Sequence, residues 1–403
     1  MRYAHPALIP QSDRYSELRW LGDRIPCATY NHRGDTHPQT WSDDDNTYIG
    51  TGDPFWIDEN GVAKTPGDFD QSKPAVADYV FRRITGLVFE SLTGDPEHFD
   101  IRRENDMTSF IGWGGSGPKP SGMISVDGVL YYAVQNILGW KPPRYGVNSQ
   151  HGSDCTILRS TDHGKTWAPC LDALLDEHWK DYSPNGGVGP WNWPVSENLR
   201  THIRDWEPMF PGNLFGGLSF VQFGKDNADA VDGYVYAVSG DHWDNGSELR
   251  LGRVPKDKIM DRSAWEFAIP HEDGSVEWTE WLVRSEPILA IERHVSLPEM
   301  VYLPGEKKYL LLTWAMHQDF STKKGSELTV LESDHPWGPF RLVHYEWMWY
   351  NSEAGHYCPR VPLKWFDQEK LEGYLLYSGN WEVQAEYYRP QLRKFKLIPR
   401  TRF

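Results

Sequence analysis

Five times along this chain of 403 residues, an apolar strand, a tight polar turn and a second apolar strand rich in Tyr, Val and Leu follow one another. The copies are "HPQTWSDDDNTYIGTGD", "SGMISVDGVLYYAV", "LSFVQFGKDNADAVDGYVYAVSGD", "EMVYLPGEKKYLLLTW" and "VPLKWFDQEKLEGYLLYSG". A unit of this kind cannot bury its apolar faces alone and has to stack against its neighbours. Most copies precede a second, more polar two-strand pattern: "CTILRSTDHGKTWAPC", "ELRLGRVPKDKIMDRSAWEFA" and "LTVLESDHPWGPFRLVHY". Four strands per unit, at a spacing of ~60 to 80 residues with short turns and little helix, is the sequence form of a β-propeller blade. The pattern therefore predicts an all-β chain, a five-bladed β-propeller forming a single domain over 1–403. Its blade cores fall near 35–97, 119–170, 215–268, 294–346 and 356–399. A propeller removes its sheet edges by radial closure, so the last blade needs a strand from the other terminus. "YSELRWLG" at 15–22 is the candidate.

One turn carries a sharper signature. "STDHGKTW", from Ser160 to Trp167, has the Asp-box form, in which the Asp caps a hairpin and the Trp packs beneath it. Cys155 and Cys170 flank that hairpin symmetrically, so both a disulfide, with an oxidising compartment, and two buried thiols fit the spacing. The run Asp43, Asp44, Asp45, Asn46 occupies the turn of the first copy. Short Asp and Asn side chains bond their local backbone and tolerate left-handed conformations, and the Gly and distal Glu of a calcium loop are missing, so the run is read as a turn.

With those turns on one end of the propeller, the starts of the first strands and the ends of the second strands share the opposite end, where the five units converge. The positions there are Asp35, His37 and Asp53; Lys119, Ser121, Gln135 and Asn136; Asp241, His242 and Trp243; His294, Glu299, Trp314 and His317; and Glu353, His356, Tyr357, Asn380 and Trp381. Carboxylate, imidazole, amide and indole dominate this set, while the turns at the other end hold ordinary Asp, Gly and Lys.

The ligand class follows from charge and composition. A formal net charge of -16 repels a nucleic-acid backbone and an anionic membrane surface. No run reaches the ~18 to 20 apolar residues that span a bilayer. "MRYAHPALIPQSDR" lacks the apolar core of a secretory signal, so the expected location is cytoplasmic as written, or exported with a leader removed. A neutral carbohydrate suits the 20 Trp and 20 Tyr, whose flat faces stack on sugar rings. Oligomeric state is not legible.

Glycoside hydrolysis needs two carboxyl groups flanking the scissile bond. Asp35 before the first strand of copy one is the candidate base or nucleophile, with a strand-start cap as its plain alternative. Glu299, a lone acid entering an apolar strand, is the candidate general acid, since burial there raises a carboxyl pKa. Its plain alternative is a buried ion pair with Arg293 or Lys119. Asp53 is a supporting carboxylate, Glu353 a rival acid, and Trp243, Trp314 and Trp381 are candidate sugar platforms. A polysaccharide lyase would use the same region differently, with Tyr357 or a His as base and Lys119, Arg293 or Arg360 neutralising a uronate. A glycan-binding propeller without catalysis is the third reading. No cofactor is required; a central ion held by His37, His242, His317 and His356 is an alternative role for residues that lack HxH or HExxH spacing.

The segments "FVQFGKDNADAVDGYVYAVSGD", "LRLGRVPKDKIMDRSAWEFA", "YCPRVPLKWF" and "TWSDDDNTYIGTGD" resemble the five-bladed propeller family catalogued as domain of unknown function 4185. "KPSGMISVDGVLYYAV" and "PWGPFRLVHY" fit it too, so the resemblance runs from about Asp35 to Tyr388. Some members of that family are endo-acting D-arabinanases of glycoside hydrolase family 183. The resemblance implies a propeller glycosidase with acidic residues at its centre, and Asp35 in "GDTHPQTW" is the position to which it carries over.

Overall fold

The computed structural model of the protein describes residues 2–28, 32–57, 63–64, 87–107, 118–137, 152–171, 208–317, 325–379 and 387–401. Among the described residues the chain is all-β and propeller-like, with five sheets and short 3-10 turns between strands. The first sheet holds His32–Asp35 and Gln39–Trp41, both paired with Thr47–Ile57, followed by Leu87–Thr93 and Asp100–Asp106. The second runs Lys119–Val126, Val129–Gln135, Thr156–Ser160. The third begins Gly217–Phe220, Tyr234–Gly240, Gly246–Pro255. The fourth is Glu299–Leu303, Lys308–Met316, Ser326–Ser333, Arg341–Glu346. The fifth is Tyr357–Arg360, Glu372–Ser378, Gln391–Pro399 and, on its outer edge, the N-terminal strand Tyr15–Pro26. Among the described residues no helix is long and apolar enough to cross a membrane.

The apolar side chains of these strands are shared between neighbours. In Lys308–Met316, Leu310 and Leu312 pack with Leu375 and Tyr377 of the fifth sheet, while Tyr309 and Leu311 pack with Tyr236 and Leu249 of the third. Successive residues of a strand point to opposite faces, so a strand buried on both reads as the unbroken apolar run "YLLLTW". Three further cores join second to third (Ile124, Tyr131, Leu218, Val235), first to second (Phe89, Leu130, Tyr132) and fifth to first (Ile49, Leu92, Leu376). Each core lies between two sheets, so the apolar faces of each sheet are buried by its neighbours.

The structure departs from the sequence reading in five places. In the first copy Asp35 ends an additional strand, His32–Asp35, and Asp53 lies inside Thr47–Ile57 instead of closing it. The third sheet does not end at 268. "AWEFA" leaves the main ladder to form a side hairpin of Glu266–Pro270 with Val276–Thr279, and Leu289–Val295 takes the free edge of Gly246–Pro255. The fourth repeat therefore starts at Glu299, and Arg293 and His294 belong to the third sheet's outer strand. In the fifth copy the first strand is Tyr357–Arg360, and "LKW" is a 3-10 turn instead of a strand. Cys155 and Cys170 are both free, one buried and the other exposed. The hairpin ladder between them consists of one bridge, Arg159 to Ala168, and Cys155 has Phe210 across from it instead.

Both distinctive turns form. Asp162 Oδ1 accepts from the Ser160 hydroxyl (2.8 Å) and the Thr166 N–H (2.9 Å), and Trp167 Nε1 donates to Gly164 O (3.0 Å). Asp43 to Asp45 make a turn in which Asp45 is left-handed (φ 68°) and Asp44 Oδ2 accepts from Tyr48 OH at 2.7 Å.

Candidate functional site

Asp35 closes the first strand at a kink. Gly34 precedes it with φ 147°, where a β-carbon would run into Thr51 Cγ2, and Thr36 and His37 follow at φ 67° and 37°. Left-handed backbone is costly for a β-branched Thr. Asp53 (φ 45°), Asn136 (56°) and Cys358 (52°) share that conformation at this end of the molecule, and such outliers gather where side chains must be aimed. Opposite Asp35 in the ladder lies Gly52, whose missing side chain leaves room for the carboxylate.

The Asp35 carboxyl is buried with Asp53. Its Oδ2 accepts from Tyr357 OH at 3.0 Å, and Tyr388 bonds the same carboxyl. Asp53 Oδ1 accepts from Lys119 Nζ, the first residue of the second sheet's first strand. Burial, and next the charge of Asp53, push the Asp35 pKa up to about 7, against the opposing pull of Lys119 and the two phenols. Asp53 is raised too, by burial, with Lys119 opposing. Of this pair, Asp53 is the one with an ammonium directly on it, so it gives up its proton first. Burial and the neighbouring carboxylate raise Tyr357 well above the ordinary phenol value.

Glu299 occupies a different setting. Gln39 Nε2 donates to Oε1 (3.1 Å) and the Val361 N–H donates to Oε2, so both oxygens are engaged. Burial raises its pKa to about 7, with Arg360 the main opposing influence. Arg360 is the charge beside it, in place of the Arg293 or Lys119 expected from sequence. The guanidinium donates to Thr36 O (3.1 Å) and Pro298 O (2.8 Å), tying the fifth sheet to the first and fourth. Gln39 and Tyr388 were missed by sequence reasoning: "HPQTW" and "EYYRPQ" carry no local pattern that points to these contacts between distant segments.

The remaining positions divide. Gln135 is fully buried and neither end of its amide finds a partner among the described residues; Asn136 Nδ2 is likewise unpaired. Ser121 donates to Ala133 O (3.3 Å) within its own hairpin. Asp241 caps the next turn, accepting from the N–H groups of Ser247 and Glu248, with His242 Nδ1 3.4 Å away. Trp243 and Trp314 are not open platforms: they are 1% and 0% exposed, Trp243 packs edge-on against Trp314 and Tyr357, and Trp314 lies tilted against Tyr357, whose hydroxyl bonds Asp35. Arg293 is exposed on the outer strand, and His294 bonds Glu327. Glu353 is exposed. Asn380 and Trp381 lie outside the described residues.

The histidines do not converge. His37 bonds Thr51 Oγ1 (3.1 Å), His317 stacks on Trp347, and His356 packs against Trp349, Tyr350 and Tyr377, its pKa pushed down to about 3 by burial and then by Arg24 and Arg393. Two other groups come together among the described residues, His5 with His294 and Glu327, and Asp43 with Asp44 and His163. In the first, His5 Nδ1 accepts from the Ala7 N–H, which puts the ring proton on Nε2, facing Tyr345 OH at 3.1 Å. Tyr345 OH in turn donates to Glu327 (2.8 Å), a closed hydrogen-bond chain in which Nε2 has no lone pair for an ion. The second is the exposed turn at the opposite end.

No family model matches the chain, and no curated protein matches it. Among solved structures it is similar to the α-L-arabinofuranosidase PaAbf62A from Podospora anserina in complex with cellotriose, at 10% identity, covering 95% of this chain and 98% of that one, with a TM-score of 0.44. It is similar to the catalytic domain of the GH62 α-L-arabinofuranosidase from Coprinopsis cinerea at 10% identity, covering 94% and 98%, with a TM-score of 0.46. A GH43_1 enzyme from Xanthomonas citri is similar at 12% identity, covering 94% and 91%, with a TM-score of 0.43. These likenesses carry no chemistry to this chain.

Proposed function

We propose that the five sheets are the blades of one five-bladed propeller and that the protein is a glycoside hydrolase working where their first strands converge. The order of contacts supports the ring. The first sheet meets the second, each later sheet meets the next through its first strand, and the fifth returns to the first. The observation that carries the chemistry is the buried carboxyl pair Asp35 and Asp53, with Asp35 raised to about 7 and Asp53 ion-paired to Lys119. A carboxyl still half protonated near neutrality is suited to donate a proton to a leaving glycosidic oxygen. A second, ionised one supplies the negative charge that an oxocarbenium-like transition state needs. Asp35 is thus the acid, Asp53 the ionised partner, and the unpaired Gln135 amide and Asn136 Nδ2 bind sugar hydroxyls. Glu299, with both oxygens engaged, braces the centre. A neutral glycan such as an arabinan agrees with the resemblance of the strand motifs and with the net charge of -16.

Two observations weigh against a lyase. The Tyr357 hydroxyl donates a hydrogen bond to Asp35 and is held far from the phenolate, and Arg293 stands on an outer strand. The test is incubation with neutral and uronate-containing polysaccharides, following reducing ends and the absorbance of an unsaturated product. Reducing ends alone, lost in Asp35→Asn and Asp53→Asn, support hydrolysis. An unsaturated product, or full turnover by both variants, overturns this reading, and glycan binding without any product leaves a binding propeller.

A further inference from the structure

Among the described residues Trp347 differs from the tryptophans of the neighbouring core. Trp243, Trp314 and Trp349 are at most 1% exposed, whereas Trp347 is 55% exposed. One face of its indole lies on the imidazole of His317, with centroids 4.0 Å apart and planes 18° from parallel, so its exposure belongs to the other face. The ring is also held in place. Glu346 before it accepts from Trp20 Nε1 (3.0 Å) and the Tyr350 N–H (2.8 Å), and Met348 after it packs on Gly325, where a β-carbon would collide with its sulfur.

The connection that carries Trp347 leads from the fourth sheet's outermost strand, Arg341–Glu346, to the fifth sheet's first strand, Tyr357–Arg360. Its inner end is Tyr357, bonded to Asp35. His317 follows Lys308–Met316, the strand one spacing of ~4.8 Å out from the first strand of its sheet. Trp347 therefore stands on the same end of the molecule as Asp35, displaced toward the rim. A rigid, open indole face offers the flat C–H side of a sugar ring apolar contact against a negative π-cloud without requiring charge, at little conformational cost.

We infer that Trp347, backed by His317, is a stacking subsite for a neutral glycosyl unit remote from the reacting bond, so the protein takes oligomeric or polymeric glycans in preference to single-unit glycosides. The inference rests on the glycan reading of the carboxyl pair and extends it.

The test is native affinity electrophoresis of the full chain in gels containing linear arabinan, arabinoxylan, xyloglucan or laminarin, with reducing-end release measured on the same polymers. Expected is retardation of the wild type by at least one polymer, a Kd about tenfold weaker in Trp347→Ala, and near wild-type retardation in Trp347→Phe, which keeps an aromatic face. Asp35→Asn should be retarded like the wild type. Wild-type retardation in Trp347→Ala, or no retardation of the wild type by any of the four, overturns the inference. Retardation lost in Trp347→Ala with no reducing ends from the wild type upholds the subsite and overturns the hydrolase reading alone.

Discussion

Gly52 stands directly across the strand pair from Asp35, and a β-carbon on it would lie 2.8 Å from the Asp35 Oδ1 atom. Gly52→Ala should therefore displace the carboxyl while leaving the surrounding cores intact. A misplacement near 1 Å costs about 10²-fold in turnover. The expected outcome is that loss in kcat on a responsive glycan, with circular dichroism unchanged. Wild-type turnover in a folded variant would remove Asp35 from the chemistry.

Stability should carry the signature of the raised carboxyls. Asp35 and Glu299 titrate near 7 in the fold and near ~4 in the unfolded chain, so between those values the native state holds the protons that the unfolded state has lost. Their contribution is full below pH ~4 and is lost as the pH rises through about 7, at up to ~1.4 kcal/mol per pH unit for each group. Asp35→Asn cannot ionise, so it should gain stability relative to the wild type from pH 5 to pH 8 in urea melts. A difference that stays constant over that range would contradict the shift.

Glu299→Gln separates bracing from catalysis. The amide sets an N–H group against Gln39 Nε2 or the Val361 N–H, both donors, at a cost of about 1–3 kcal/mol. Expected is a lower unfolding midpoint with turnover per folded molecule within a few-fold of wild type. A normally stable variant that lost turnover as Asp35→Asn does would return Glu299 to the role of acid.

The N-terminal segment should be indispensable. Arg2–Tyr3 pairs with Leu289–Val295, Gln11 with Leu342, and Tyr15–Pro26 with Gln391–Pro399, so it runs along the third, fourth and fifth sheets in turn. Deleting residues 2–26 bares the long edge of Gln391–Pro399 and should give aggregated protein by light scattering. A soluble, cooperatively folding truncation would show that closure does not depend on this strand.

Thiol accessibility checks the hairpin register. Cys170 is exposed while Cys27, Cys155 and Cys358 are buried, with Cys155 pushed up to about 12 by burial. Iodoacetamide should modify Cys170 in the native protein and all four cysteines after denaturation. A bonded Cys155–Cys170 peptide on non-reducing mapping would overturn the observed pairing.

The repeated hairpins were legible because a strand buried on both faces has to be apolar at consecutive positions, and turns have to be Asp, Gly and Asn; both are local demands written into "YLLLTW", "VDG" and "SDDDN". Asp35 and Asp53 could be placed on the side of the first sheet away from the "SDDDN" turn by the same logic, although Asp53 proved to lie inside Thr47–Ile57 and not at its end. What strand comes after a hairpin is a long-range choice. "AWEFA" satisfies its own backbone bonds in a side hairpin, and only the packed sheet shows that Leu289–Val295 takes the vacant edge, which moved Arg293 and His294 outward. Burial is likewise a property of the assembled whole. Trp243 and Trp314 are chemically identical to Trp347 in sequence, and only the meeting of sheets decided that the first two are buried and the third exposed. Composition and period fixed which strands exist, but the neighbours each side chain meets depend on contacts between residues hundreds of positions apart, and those neighbours set the pKa of Asp35 and the engagement of Glu299.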